Sequence, residues 1–126
     1  MKIKLKILLL VIVAAFMASS CLYDWEIPEE IPDRDPDQEI SFSEEVLPIF
    51  TSGNNCTACH NGSQIPDLRE ENAFSSLNST RYINKTSPEE SRIYTYPHPD
   101  GEHYKKYTLT QADLILAWIE QGAKNN

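Results

Sequence analysis

Two cysteines and a histidine in one short run constrain this chain more than any other feature of its sequence. The run is Cys56-Thr57-Ala58-Cys59-His60, a C-x-x-C-H motif. On a helical turn, residues three positions apart lie on the same side, so each thiol can add to one vinyl group of a single porphyrin. His60 can then bind the haem iron from one face. The motif therefore predicts covalent attachment of one haem c.

Two other interpretations of the same cysteines are open. A disulfide or a thioredoxin-like redox pair would use Cys56 and Cys59 alone, but thioredoxin-like sites lie in a βαβ context. No window of this sequence shows the sustained alternation of a strand. A zinc site would need a fourth ligand besides these two thiols and His60, and the sequence has no second cysteine pair. Haem is the favoured interpretation.

The first twenty residues predict an export signal of the lipoprotein type. Three lysines precede the apolar run Ile7–Phe16, which is short for a membrane span, and small residues follow it. The ending, Ala18-Ser19-Ser20-Cys21, resembles the lipobox of bacterial lipoproteins, with Ala18 where leucine is usual. We therefore expect residues 1–20 to be removed and Cys21 to carry lipid. The lipid would anchor the exported chain to a membrane, on the side that faces the periplasm or the cell surface.

Two alternatives remain open at this end of the chain. Residues 1–20 can stay uncut as a membrane anchor, or Cys21 can stay free or form a disulfide after ordinary cleavage.

Residues 21–40 predict an acidic, proline-rich tether. Prolines recur there every four residues, and eight acids stand against one base, Arg34. Charge repulsion and the lack of apolar surface favour an extended, mostly disordered spacer, with a docking segment as the alternative. The whole chain carries a net charge of -8, which argues against a nucleic-acid partner.

The remaining residues, 41–126, predict a small all-α domain of short helices. Ser41 and Glu44 have the spacing of a capping box ahead of an apolar stretch, and residues 70–77 predict a second short helix. A domain of this size has a marginal apolar core. A haem would add apolar packing, so we expect the haem-free chain to fold poorly.

Two further helices are predicted nearer the C-terminus. Ser87-Pro88-Glu89-Glu90 is typical of a helix start, and this helix should end before Pro97. We expect the last helix to be capped by Thr110 and stopped by Gly122. Its apolar face is formed by Leu114, Ile115, Trp118 and Ile119.

Three stretches of the chain resemble small mono-haem cytochrome c domains, which are common in exported Bacteroidetes proteins. They are Val46–Phe50, Cys56–His60 and Ala117–Asn126, and the resemblance spans about residues 42–126. It implies a small class I cytochrome c fold, with three to five short helices around one covalently bound haem. It also implies that the first and last helices cross beside the haem, with Trp118 at the crossing.

The sixth iron ligand in many such domains is a methionine in the loop before the last helix. Both methionines of this chain, Met1 and Met17, lie in the predicted signal. The mature chain would therefore contain no methionine that could bind the iron. The same loop holds His98 and His103. His103 has the usual spacing to the last helix and is the favoured ligand, with His98, an open position, or lysine or tyrosine as alternatives. Loss of methionine ligation should lower the reduction potential.

Four cations have no assigned role at this stage. Arg81, Arg92, Lys105 and Lys106 can neutralise haem propionates, dock an acidic partner, or simply solvate a face of the domain.

The favoured function is that of an electron carrier rather than an enzyme. We expect redox partner proteins at the membrane and no small-molecule substrate, since the sequence shows no nucleophile–base pair or carboxylate dyad. A haem-based sensor or ligand-binding module with an open sixth position is the alternative. A small peroxidase is a third, more remote hypothesis.

Overall fold

The structure, a computed structural model, describes residues 3, 6, 30, 31, 33–35 and 37–126. Within this part of the chain the architecture is all-α, as predicted, and contains no strand. None of the helices described here is long and apolar enough to cross a membrane. Cys21 lies outside the described residues, as do the predicted signal, apart from residues 3 and 6, and most of the predicted tether.

The helical elements are short except for the last one. In chain order they are a π-helical turn Phe42–Val46, helix α1 Leu47–Thr51, a 3-10 turn Ser52–Asn54, helix α2 Ala73–Leu77, a 3-10 turn Pro88–Glu90, helix α3 Arg92–Thr95 and helix α4 Leu109–Glu120. Long loops join them, and the candidate site residues lie in those loops.

The first helical segment begins at the predicted cap. The Ser41 hydroxyl accepts a hydrogen bond from the Glu44 N–H at 3.2 Å. The reciprocal bond of the capping box is made by Glu45, whose carboxylate accepts from the Ser41 N–H at 2.8 Å. Glu45, rather than the predicted Glu44, therefore completes the box. Pro48 has no N–H to donate within the helix, and the wider π-helical turn precedes it directly.

The second predicted helix begins later than residue 70. Residues 70–72 form a turn, and α2 starts at Ala73. Ala73 and Leu77 are both buried and Phe74 is partly buried, so one face of this short helix lies against the core.

The third predicted helix is broken into two pieces at Ser91. This residue has extended backbone angles, φ -60° and ψ 128°, between the 3-10 turn and α3. Its side chain is buried, and its hydroxyl accepts from the Asn84 N–H at 2.9 Å and lies 3.4 Å from the Asn84 carbonyl. Because this hydrogen bonding ties Ser91 to the loop seven residues before it, the helix does not run through it.

Helix α4 begins two residues earlier than predicted. Its cap is Thr108, not Thr110: the Thr108 hydroxyl accepts from the Gln111 N–H at 3.1 Å, and the Gln111 side chain accepts from the Thr108 N–H at 3.0 Å. Both halves of a capping box are therefore present. Gly122 follows the helix with φ +98°, which is the predicted stop.

The first and last helical segments pack against each other through aromatic side chains. Trp118 is 1% exposed, and its ring lies 5.3 Å from the ring of Phe42. The indole N–H donates to the Lys124 carbonyl at 2.9 Å, so its one polar atom is satisfied. The C-terminal Asn126 continues the contact, since its carbonyl accepts from the Ser43 N–H at 3.0 Å.

Ordered packing begins before residue 41. Ile40, at the end of the predicted tether, is 1% exposed and donates its N–H to the Gln121 side chain at 2.8 Å. Glu39 pairs with Lys124 at 2.6 Å, and Arg34 pairs with Asp113 at 3.0 Å. Burial of Ile40 gives this short stretch the apolar anchor that the acidic residues before it lack.

The Trp118 packing leads to a stability prediction. Trp118→Ala in the full chain should lower the free energy of unfolding by about 3–5 kcal/mol, because it removes a fully buried aromatic side chain. Denaturant unfolding followed by circular dichroism measures this change. Tyr104→Ala is the matched control, since Tyr104 is 93% exposed and should change the value by less than about 0.5 kcal/mol. A loss below about 1 kcal/mol for Trp118→Ala would contradict the packing described.

Candidate cofactor site

The C-x-x-C-H motif forms a helical turn just after the first helical segment. The Cys59 and His60 N–H groups both donate to the Cys56 carbonyl, at 3.2 and 2.9 Å. Cys56 is partly buried and Cys59 is exposed, and both are free thiols rather than a disulfide. Burial raises the pKa of the Cys56 thiol, an effect that the nearby Lys105 ammonium opposes.

The ring of His60 is oriented by the backbone that follows it. Its Nδ1 lies 2.9 Å from the Pro66 carbonyl oxygen, and its own carbonyl accepts from the Leu68 N–H at 2.8 Å. A carbonyl is only an acceptor, so Nδ1 is the protonated nitrogen and Nε2 keeps its lone pair. This is the usual arrangement of a metal-binding histidine.

The Pro66 carbonyl is itself held by a polar cluster around Asp67. The Asp67 carboxylate accepts from the Arg69 guanidinium at 2.6 Å and from the Asn72 amide at 2.8 Å, and the Asp67 N–H donates to the Ser76 hydroxyl at 2.8 Å. Hydrogen bonds from Arg69 hold the pKa of the Asp67 carboxyl well below its ordinary value. The cluster fixes the backbone directly after Pro66.

The ring of His103 lies close to the ring of His60. The two ring centres are 6.1 Å apart, with an angle of 31° between the ring planes. The Lys105 N–H donates to Nδ1 of His103 at 3.1 Å, and the Lys105 carbonyl oxygen lies 2.7 Å from the same Nδ1. Both of these backbone contacts are made by Nδ1, so neither uses Nε2, the other ring nitrogen.

His98 is held away from this pair by its own loop. Its ring packs edge-on against Tyr94 at 5.2 Å, and its Nδ1 accepts from the Asp100 N–H at 3.2 Å. It does not line the cleft that contains the other two histidines. Of the two histidines considered as second ligand, the structure brings only His103 to His60.

A cleft contains His60, His103 and Cys56 in its walls. Most of the other lining side chains are apolar or aromatic, and they are Ile65, Pro66, Leu68, Tyr82, Ile93, Tyr96, Pro97 and Tyr107. Cys59 lies at the exposed end of the motif, outside this lining.

The charged residues of the cleft all have the same sign. Arg81, Arg92, Lys105 and Lys106 line it, and no aspartate or glutamate does. Lys105 donates to the Asn55 side chain at 3.2 Å, and Lys106 donates to backbone carbonyls. No ion pair between these four cations and a carboxylate occurs among the described residues. The cleft therefore carries positive charge in a chain whose net charge is -8.

Two buried tyrosines in the cleft were not anticipated from the sequence. Tyr82 and Tyr107 are 8% and 5% exposed and both line the cleft. Burial raises the pKa of Tyr107 well above its ordinary value, with a smaller contribution from Cys56. Neither tyrosine belongs to a periodic apolar pattern, so only the tertiary fold reveals what it faces.

Direct binding of a metal ion by clustered side chains has no support here. In residues 37–126 and the few others described, no group of three or more histidine, cysteine or acidic side chains can hold a metal ion. The zinc interpretation of Cys56, Cys59 and His60 thus gains no support. A haem iron needs only axial protein ligands, because the porphyrin supplies four nitrogens.

Comparisons with known proteins add no family to these observations. Searches against protein-family models, curated proteins and solved structures found no match to this chain. The functional conclusion therefore depends on the motif and on the geometry of the cleft.

The Asp67 cluster leads to a prediction about pH. A carboxyl whose pKa is lower in the folded state than in the unfolded state stabilises the protein at pH values above the unfolded pKa, about 3.9 for aspartate. This stabilisation is lost as the pH falls from there toward the folded pKa. Asp67→Asn should therefore lower the unfolding midpoint at pH 6, and the difference from the wild type should shrink progressively below pH 4. Denaturant unfolding at several pH values measures it. Glu89→Gln, at an exposed position, is the control, and an equal pH trend in both variants would refute the role of Asp67.

Proposed function

We propose that this protein is an exported, lipid-anchored mono-haem c-type cytochrome that transfers electrons. Cys56 and Cys59 would hold the haem through thioether bonds, and His60 and His103 would bind its iron. The single observation that carries this proposal is the pairing of the His60 and His103 rings across a cleft beside Cys56.

The distance between the two rings suits two axial ligands. Imidazole nitrogens bind first-row metal ions at about 2 Å, so two imidazoles on opposite sides of one ion have ring centres about 6 Å apart. The measured separation is 6.1 Å. Nδ1 of each ring also lies against the backbone, at the Pro66 carbonyl for His60 and at the Lys105 carbonyl and N–H for His103. Nε2 is therefore the nitrogen of each ring that would bind iron.

The lining of the cleft suits the rest of a haem. Apolar and aromatic side chains match the macrocycle, and the unpaired cations match two propionates. Arg81 and Arg92 are the best candidates for the propionates, because each has a guanidinium over a tyrosine ring (5.6 Å for Tyr82, 4.9 Å for Tyr96) and no carboxylate partner among the described residues. The haem supplies an iron that cycles between the ferric and ferrous states.

The thiols are placed for covalent attachment at the edge of the cleft. In each attachment, S–H adds across a vinyl C=C bond: a carbon–sulfur bond forms and the hydrogen goes to the other vinyl carbon. Cys56 lines the cleft, and Cys59 lies three residues further along the same turn. The covalent bonds keep the haem on the protein outside the cell, where the predicted signal sends the chain.

Electron transfer is favoured over ligand sensing because a second histidine, His103, lies beside His60 and would occupy the sixth iron position. A sensor or a peroxidase needs an open iron position, whereas a carrier needs only an exposed edge. Ile65 lines the cleft and is 65% exposed, and Cys59 is exposed nearby. This edge is the expected route to redox partners at the membrane. Histidine in place of methionine should give a lower reduction potential than that of Met/His cytochromes.

Haem attachment is tested by mass spectrometry of the exported protein. The wild-type chain should carry one covalent haem, and Cys56→Ala/Cys59→Ala should carry none, because both thioether donors are lost. Cys21→Ala serves as the control, since it should keep the haem and lose the lipid and membrane association. A wild-type chain that is exported without haem would rule out the proposed function.

The second iron ligand is tested by absorption and resonance Raman spectra with carbon monoxide added. The wild type should be six-coordinate low-spin and resist carbon monoxide. His103→Ala should become high-spin and bind carbon monoxide readily, because the sixth ligand is lost. His98→Ala should keep the wild-type spectrum, since His98 faces its own loop. Rapid binding of carbon monoxide by the wild type would instead favour the sensor.

A further inference from the structure

The loop that carries His103 is closed at its base. The Tyr107 N–H donates to the Pro97 carbonyl at 2.7 Å, so the two ends of loop 97–107 are held together. Tyr107 is buried, which anchors the returning end in the core. Within the loop, the Gly101 N–H donates to the His98 carbonyl at 2.8 Å and forms a tight turn. His103 therefore lies in a short closed loop rather than in an open connection.

Tyr96, which directly precedes this loop, contacts His103 in two ways. Its carbonyl accepts from the His103 N–H at 3.0 Å. Its ring meets the His103 ring edge-on, with centres 5.2 Å apart and planes at 68°. One contact places the backbone of His103, and the other limits rotation of its imidazole.

Tyr96 is fixed on its other side by helix α3. The Tyr96 N–H donates to the Arg92 carbonyl at 3.1 Å, and the Arg92 guanidinium lies 4.9 Å from the centre of the Tyr96 ring. A hydrogen bond and a cation–π contact thus hold the ring that borders His103.

Gly101 allows the loop to approach the end of α3. A Cβ atom at this position would lie 2.4 Å from the carbonyl oxygens of both Thr95 and Tyr96. These are backbone atoms, which cannot turn aside as a flexible side chain can. The Tyr96 carbonyl is also the acceptor of the His103 N–H. Any side chain at Gly101 would therefore push the loop away from the group that places His103.

From these contacts we propose that Tyr96 and Gly101 are positioning residues for the second iron ligand: together they hold the His103 imidazole toward His60. The inference rests on the proposed function, in which His103 binds iron. It adds that His103 is held in position before the iron binds, by the ring of Tyr96 and by Gly101, neither of which is proposed to bind the iron.

The proposal predicts a loss of ligation when the Tyr96 ring is removed. Tyr96→Leu should give a partly high-spin haem, and if the equilibrium constant for binding of His103 to the iron falls tenfold, the affinity for carbon monoxide rises about tenfold. Tyr96→Phe keeps the ring and should restore the wild-type spectrum and carbon monoxide resistance. Gly101→Ala should resemble Tyr96→Leu. Tyr104→Ala, in the same loop but 93% exposed, should match the wild type.

The measurements are absorption and resonance Raman spectra and carbon monoxide titration on the full haem-loaded chain, with haem content and circular dichroism recorded for each variant. If Gly101→Ala fails to fold, the two Tyr96 variants decide the question. The inference is overturned if Tyr96→Leu gives a wild-type spectrum or if Tyr96→Phe gives a high-spin spectrum. In either case the proposed function still stands, because these variants carry covalently attached haem. Absence of haem from the wild type overturns the proposed function itself.

Discussion

The pairing of His60 and His103 is the constraint on which the rest of the domain depends. The two rings come from loops at distant points in the chain, yet their centres lie 6.1 Å apart. The short helices cannot supply that precision, because the histidines are not on them. Backbone contacts supply it instead: Nδ1 of His60 lies against the Pro66 carbonyl, and Nδ1 of His103 lies against the carbonyl and N–H of Lys105.

The fold was predictable where its signals are local. Ser41 caps the first segment and Gly122 stops the last, because a hydroxyl at a helix start and a glycine at a positive φ act within a few residues. Two local details were still wrong, since Thr108 rather than Thr110 caps α4 and Glu45 rather than Glu44 bonds back to Ser41. Other predictions failed where a partner outside the predicted element decides the outcome. Ser91 breaks a helix because it is tied to Asn84, and Ile40 joins the folded part of the chain with its N–H bonded to Gln121.

The site was predictable to the same extent. Cys56, Cys59 and His60 follow from one motif, and His103 follows from its spacing to the last helix. Sequence alone left His98 open, and only the tertiary fold shows that it packs on Tyr94 while His103 faces His60. The backbone carbonyls at the histidines, the buried tyrosines and the proposed role of Tyr96 have no sequence signal, because backbone acceptors and loop aromatics occur everywhere.

The chain has a net charge of -8, but the cleft is positively charged, and this local charge affects the proposed redox chemistry. Four cations line the cleft, without an acid among its lining residues. Positive charge and an apolar wall both disfavour the additional charge of ferric iron, and they raise the reduction potential. Histidine in place of methionine acts in the opposite direction. The potential of the proposed cytochrome is therefore set by two opposed features of the chain, its axial ligands and its cationic rim. Propionates bound by Arg81 and Arg92 would cancel part of that rim charge and so reduce the second of these two effects.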